Sequence, residues 1–202
     1  MIYLTILITA IATAVAAQFA IWLKERWTTG QEARFSNLYA ALFFEQYATD
    51  CSHRLGEKDS FNASGGHAGI DHGALPELPP FPPEIEWKKV GVRLTEEAFA
   101  FRVAVEATNA KISYLYDFDP PDGGDHEVLI QMASLGLTAL AVAERLRRAA
   151  RLGPAPTPDP DYTTSRHLKE RQLHFEAQRA KTLESQKESR AALVAGAAAP
   201  PA

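Results

Sequence analysis

Cysteine is nearly absent. The single Cys51 in 202 residues rules out any disulfide within the chain. No Cys-x-x-Cys and no His-Glu-x-x-His occurs, so the spacings that identify common zinc sites are missing. Ser64-Gly65-Gly66-His67-Ala68-Gly69 invites a phosphate-loop reading but lacks the Lys-Ser/Thr ending. No motif calls for a cofactor. The net charge of −4 excludes nucleic acid as a partner of the whole chain. Charge is also missing altogether from the first 23 residues.

That uncharged stretch is the most informative feature present. Residues 2–23 are interrupted only by Thr5, Thr9, Thr13 and Gln18. As a helix the run would be about 33 Å long, enough to cross a hydrocarbon core of ~30 Å. Tyr3 at one end and Trp22 with Trp27 at the other suit the two interfaces. Ala14-Val15-Ala16 resembles a signal-peptide cleavage site. However, no basic residue precedes the run, and it continues past that site. The expectation is an uncleaved signal anchor, residues 1–27, in a single-pass protein of a bacterial inner membrane. Lys24, Arg26 and Arg34 follow the run, which predicts the N-terminus outside and the main domain in the cytoplasm. Thr5, Thr9, Thr13 and Ala17 share one face and form a candidate contact row for a second membrane helix.

The remainder reads as all-α. The predicted architecture is a small antiparallel three-helix bundle over 28–153, then a Pro-rich spacer at 154–164. An exposed charged helix at 165–194 and a disordered tail at 195–202 complete it. Thr28-Thr29-Gly30-Gln31-Glu32 holds two overlapping capping boxes, so a helix is expected to start there, or the anchor helix to bend at Gly30. An aromatic-rich apolar stripe from Phe35 to Cys51 predicts a helix ending near Leu55. Residues 56–93 are a Gly/Pro-rich loop. Its Leu75, Leu78, Phe81, Ile85 and Trp87 are expected to insert between helices as a strap. Thr95 is the expected cap of the next helix, with Phe99, Val103, Ala107 and Ala110 in one row and Phe101, Val105, Ile112, Leu115 and Tyr116 widening its buried face. Asp125 is the expected cap of a third helix running to about Leu152. Its apolar stretch is interrupted by Gln131, Ser134 and Thr138, which favours a buried helix over a second span. The last helix is polar nearly all round, with Leu168, Phe175 and Thr182 at seven-residue spacing. Charge is uneven: 50–127 holds 15 acids and 7 bases, whereas 161–202 holds 5 acids and 7 bases.

Candidate chemistry is thin. Cys51, His53, His67, Asp71 and His72 are of the types that bind zinc, and they are the weak candidates for a metal. No catalytic residue stands out. The run from Leu42 to Trp87, with Ser64-Gly65-Gly66, Leu75-Pro76-Glu77-Leu78-Pro79 and Ile85-Glu86-Trp87, resembles small uncharacterised bacterial single-pass membrane proteins. The resemblance implies an inner-membrane location and carries no activity. The function expected is a membrane-tethered scaffold, adaptor or regulatory subunit without catalytic activity of its own. It would meet the lipid bilayer and a protein partner, or a second copy, through the membrane helix or the C-terminal helix. The alternatives are a metal-dependent enzyme or sensor using His53, His67 and His72, and an accessory subunit of a larger membrane complex.

Overall fold

The computed structural model describes residues 2–70, 74–118, 121–156 and 162–197, giving helical backbone alone for 2–14, 16, 118, 121–126 and 190–197. All regular structure among the described residues is helical. α1 is Ile2–Ala63, α2 is Val92–Phe118, α3 is Pro121–Ala149 and α4 is Thr164–Ala197, with a short 3-10 turn at Trp87–Lys89 before α2.

α1 runs unbroken for 62 residues, about 93 Å. The capping boxes at Thr28 and Thr29 are not used as caps. Their hydroxyls donate backwards, to the carbonyls of Lys24 at 2.6 Å and Glu25 at 2.8 Å, which lets the helix pass through. Gly30 causes no break, and the helix also continues past Leu55. It stops where Ser64-Gly65-Gly66 supplies a left-handed turn: Gly65 has φ 64°, and the Gly66 N–H donates to the Phe61 carbonyl at 2.9 Å. Gly69 then returns the chain to α1 so closely that a Cβ there would sit 2.2 Å from the Glu57 carbonyl oxygen.

α3 is central and lies against α1, α2 and α4. Partners on α1 and α3 run in opposite order: Arg34 Nε donates to the Ala150 carbonyl at 2.9 Å, Glu45 pairs with Arg147, and Cys51 faces Gly136. Val128, Met132, Ala139 and Leu146 of α3 are buried against Phe44, Tyr47, Ala48 and Leu55 of α1. By length and composition α3 is apolar enough over Glu127–Ala149 to cross a membrane, but 61% of that window is buried inside the protein. Its apolarity is that of a core helix with neighbours on three sides. α3 opens with Pro121, for which the first helical turn is a natural place, rather than at Asp125. It closes with Arg151 at φ 55°, its N–H donating to Arg148 and that of Leu152 to Arg147.

The strap fills the space between α1 and α2. Prolines at 76, 79, 80, 82 and 83 deny it the N–H groups that a helix or sheet needs. Its carbonyls are met by side chains instead: Arg54 donates to Ala74 and Leu75, and Arg102 to Pro79. Leu75, Pro76 and Ile85 are buried. Phe81 meets Phe43 at 5.1 Å, Phe99 at 5.3 Å and Trp87 at 4.7 Å between ring centroids, with the Arg102 guanidinium over its face.

Three expectations are corrected. First, the buried face of α2 is narrower than expected, keeping Phe101, Val105 and Ile112 but not the Phe99 row. Ala98, Phe101, Val105 and Ile112 face the core, and Phe99, Val103, Ala107 and Ala110 are exposed. Second, on α1 the side chains of Phe35, Tyr39 and Leu42 are likewise exposed. Third, α4 is not exposed along its whole length. Leu168 is fully buried and Phe175 is 3% exposed, so the first part of α4 packs onto α1 and α3. From Ala180 to Ser189 every residue is exposed.

Candidate functional site

A polar cluster lies where α4 meets α1. Ser52 stands on the α1 face next to Cys51, and His167 lies in the first turn of α4, where its N–H bonds the Thr163 carbonyl. Ser52 Oγ is 2.7 Å from His167 Nδ1 and 3.0 Å from the Tyr162 hydroxyl. The Tyr162 hydroxyl is itself 3.4 Å from Nδ1, and its ring packs against the imidazole at 5.6 Å. In the Nε2–H tautomer of neutral histidine, Nδ1 accepts from Ser52 while the Tyr162 hydroxyl donates to Ser52 Oγ; in the Nδ1–H tautomer the ring donates to Ser52 instead. Burial lowers the His167 pKa, partly opposed by the charge of Glu170, so the neutral ring is favoured.

A serine within hydrogen-bonding reach of an imidazole has the geometry of a nucleophile and its base. Two features oppose that chemistry. Ser52 is 3% exposed and already shared with Tyr162. It also sits inside α1, where neighbouring backbone N–H groups are spent on the helix and cannot receive an oxyanion. The arrangement suits a lock that fixes α4 against α1. Ionic contacts extend the lock: Arg171 of α4 pairs with Asp59 of α1, and Arg179 of α4 reaches Glu127 of α3 at 3.0 Å. Glu127 also takes Lys111 of α2 and Gln131. Burial alone would raise the Glu127 carboxyl, but the hydrogen bonds from Lys111 and Gln131 and the charge of Arg179 hold it below the usual range.

The weak metal candidates do not converge. Cys51 is fully buried beside Gly136 and Leu168, and burial pushes its thiol up to about 12, so it stays protonated. His53, two residues on, points away, exposed and 3.7 Å from Glu57. His67 is exposed in the loop after α1, and Asp71 and His72 lie outside the described residues. Among the described residues no group of three potential ligands comes together. Of the proposed membrane-contact row, Ala17 is exposed; the side chains of Thr5, Thr9 and Thr13 lie outside those described.

Nothing in the sequence singled out Ser52, Tyr162 or His167. Ser52 and His167 are 115 residues apart, and local periodicity does not connect them. Comparison with known proteins gives no match: no protein-family model fits the sequence, and no curated protein and no solved structure is significantly similar.

Proposed function

We propose that the chain is a membrane-tethered scaffold or regulatory subunit, with residues 2–23 crossing the bilayer once and the helical body on the cytoplasmic side. The bare apolar surface of α1 supports the anchor. Val15, Phe19, Ile21, Trp22 and Leu23 are each about half or more exposed among the described residues. Lipid would remove that area from water. Phe19 stacks on Trp22 at 5.7 Å, and Arg26 lies over the Trp22 ring at 5.3 Å, an aromatic and basic grouping suited to the end of a span.

The observation that carries the scaffold reading is the outer face of α2. Phe99, Val103, Ala107, Ala110 and Tyr114 follow one another at three- and four-residue spacing and are all exposed, Val103 by 63% and Tyr114 by 62%. A contiguous apolar stripe of this kind marks a surface for another protein. The polar remainder of α4, beyond its docked turns, offers a second surface.

A photo-crosslinking amino acid at Val103, compared with one at the exposed polar Glu106, tests the reading in native membranes. A discrete crosslinked product from position 103 and none from 106 is expected. Equal, diffuse labelling at both positions would overturn it. Resistance of the full chain to alkaline extraction tests the anchor separately.

A further inference from the structure

We propose that the base of the helical body binds the phosphate of an anionic lipid headgroup. This rests on the membrane-anchor reading above.

A cleft of about 470 Å³ opens between α1, just past the apolar run, and the C-terminal end of α3. Arg26, Trp27, Gln31 and Arg34 line one wall and Arg151 the other, with Gly30 between them. Three arginines line this space, Arg26 with its guanidinium also over the Trp22 ring at the edge of the cleft, and no carboxylate lines it. Among the described residues no ion pair involves Arg26, Arg34 or Arg151, although many arginines elsewhere in the fold are paired. Arg34 uses its Nε on the Ala150 carbonyl, which fixes the side chain and leaves its terminal N–H groups for a ligand. Gly30 adds no side chain, and a Cβ there would meet nothing within 4 Å, so the space is open.

A second observation points the same way. Arg151 holds a left-handed backbone, φ 55°, at the position after the helix where glycine is favoured. Gly153 is two residues away and does not occupy it. An arginine kept in that conformation presents its side chain to the cleft at a backbone cost, as residues with work to do often are.

Position selects the occupant. Arg26 lies three residues past Leu23, about 4.5 Å along the helix axis. The polar layer of a bilayer is roughly 5–8 Å deep on each side, so the mouth of the cleft would open into the headgroups. Trp22 and Trp27, at the same level, are residues that settle there. A phosphate held between Arg26 of α1 and Arg151 in the turn that closes α3 would also hold the body at a set height over the membrane.

The test uses the full chain reconstituted in phosphatidylcholine vesicles with or without phosphatidylglycerol, with co-retained lipid read by native mass spectrometry after release. Wild type is expected to retain phosphatidylglycerol in preference to phosphatidylcholine. Arg151→Gly, which relieves the backbone and removes one guanidinium, should cut that preference about fivefold, and Arg26→Gln with Arg151→Gly further. Equal retention of both lipids by an inserted wild-type chain overturns the inference alone, as does unchanged preference in Arg151→Gly. Displacement of the lipid by millimolar inorganic phosphate would show a free-anion site and overturn the lipid assignment. Extraction of the chain from vesicles at alkaline pH would bring down the anchor reading and this inference with it.

Discussion

Ser52 Oγ and His167 Nδ1, 115 residues apart, are joined by a 2.7 Å hydrogen bond that ties the start of α4 to the C-terminal part of α1. Burial lowers the His167 pKa from 6.5, so burying this ring on docking makes docking depend on pH. Above the unperturbed value both docked and undocked histidines are neutral, and docking is at full strength. As pH falls through and below 6.5, the undocked ring takes a proton first, and docking weakens until the docked ring also titrates. Protection against hydrogen exchange across residues 164–175, corrected for the intrinsic pH dependence of amide exchange, should therefore fall between neutral and mildly acidic pH, and His167→Gln should remove the step. A flat protection profile in the wild type would show that docking does not bury the His167 ring.

Glu127 joins three helices, receiving Lys111 from α2 and Arg179 from α4. Its side chain is 8% exposed, whereas those of its two cationic partners are about half exposed. Solvent screening of the partners reduces the value of the pairs, so Glu127→Gln should cost about 1–2 kcal/mol. Since its pKa is lowered in the folded state, the stabilisation is complete above about 4.5 and fades as pH falls through the folded value. Thermal melts of wild type and Glu127→Gln in detergent should differ at neutral pH and converge in acid.

Class was legible in the sequence and orientation was not. Apolar residues at three- and four-residue spacing announce helices in α1, α2 and α3, and all regular structure among the described residues is helical. On α2, however, two apolar rows compete: Phe99, Val103, Ala107 and Ala110 against Ala98, Phe101, Val105 and Ile112. Both satisfy the same period, and only the position of Phe44 and Tyr47, whose rings meet Phe101 at 5.3 and 5.4 Å, selects the second row. Capping signals at Thr28 misled because a threonine can equally bond back into a continuing helix. The docking of α4 was hidden for a different reason. Its apolar seam is thin, and pairs such as Arg171 with Asp59 link distant parts of the chain. Cys51 and His53 looked like neighbouring ligands only in one dimension; two residues apart on a helix, they point apart.

Arg151 makes a prediction about stability that is independent of lipid. A non-glycine residue in the left-handed region costs about 1 kcal/mol. Arg151→Gly keeps the backbone hydrogen bonds that close α3, including Leu152 N–H to Arg147 at 2.9 Å. In detergent without anionic lipid, the variant should melt higher than wild type by a few degrees. A lower melting temperature would mean that the side chain has a packing role in the fold itself.

At Gly136, α1, α3 and α4 pack closely together. A Cβ at this position would lie 2.9 Å from Leu168 Cδ1 and 3.1 Å from Cys51 Cβ. The leucine tip can rotate away, but the cysteine Cβ is fixed to the α1 backbone. Gly136→Ala therefore sets a clash against the gain in helix propensity of about 1 kcal/mol, and a net change near zero is expected. Gly136→Val adds two further methyl groups with no such space and should cost about 1–3 kcal/mol by overpacking. Because α4 is the element held mainly by Leu168, Phe175 and polar contacts, it should yield before α1 and α3 part. Limited proteolysis should then cut Gly136→Val within 162–180 while the body stays intact. Equal protection of that segment in Gly136→Val and wild type would show that α4 is not seated on Gly136.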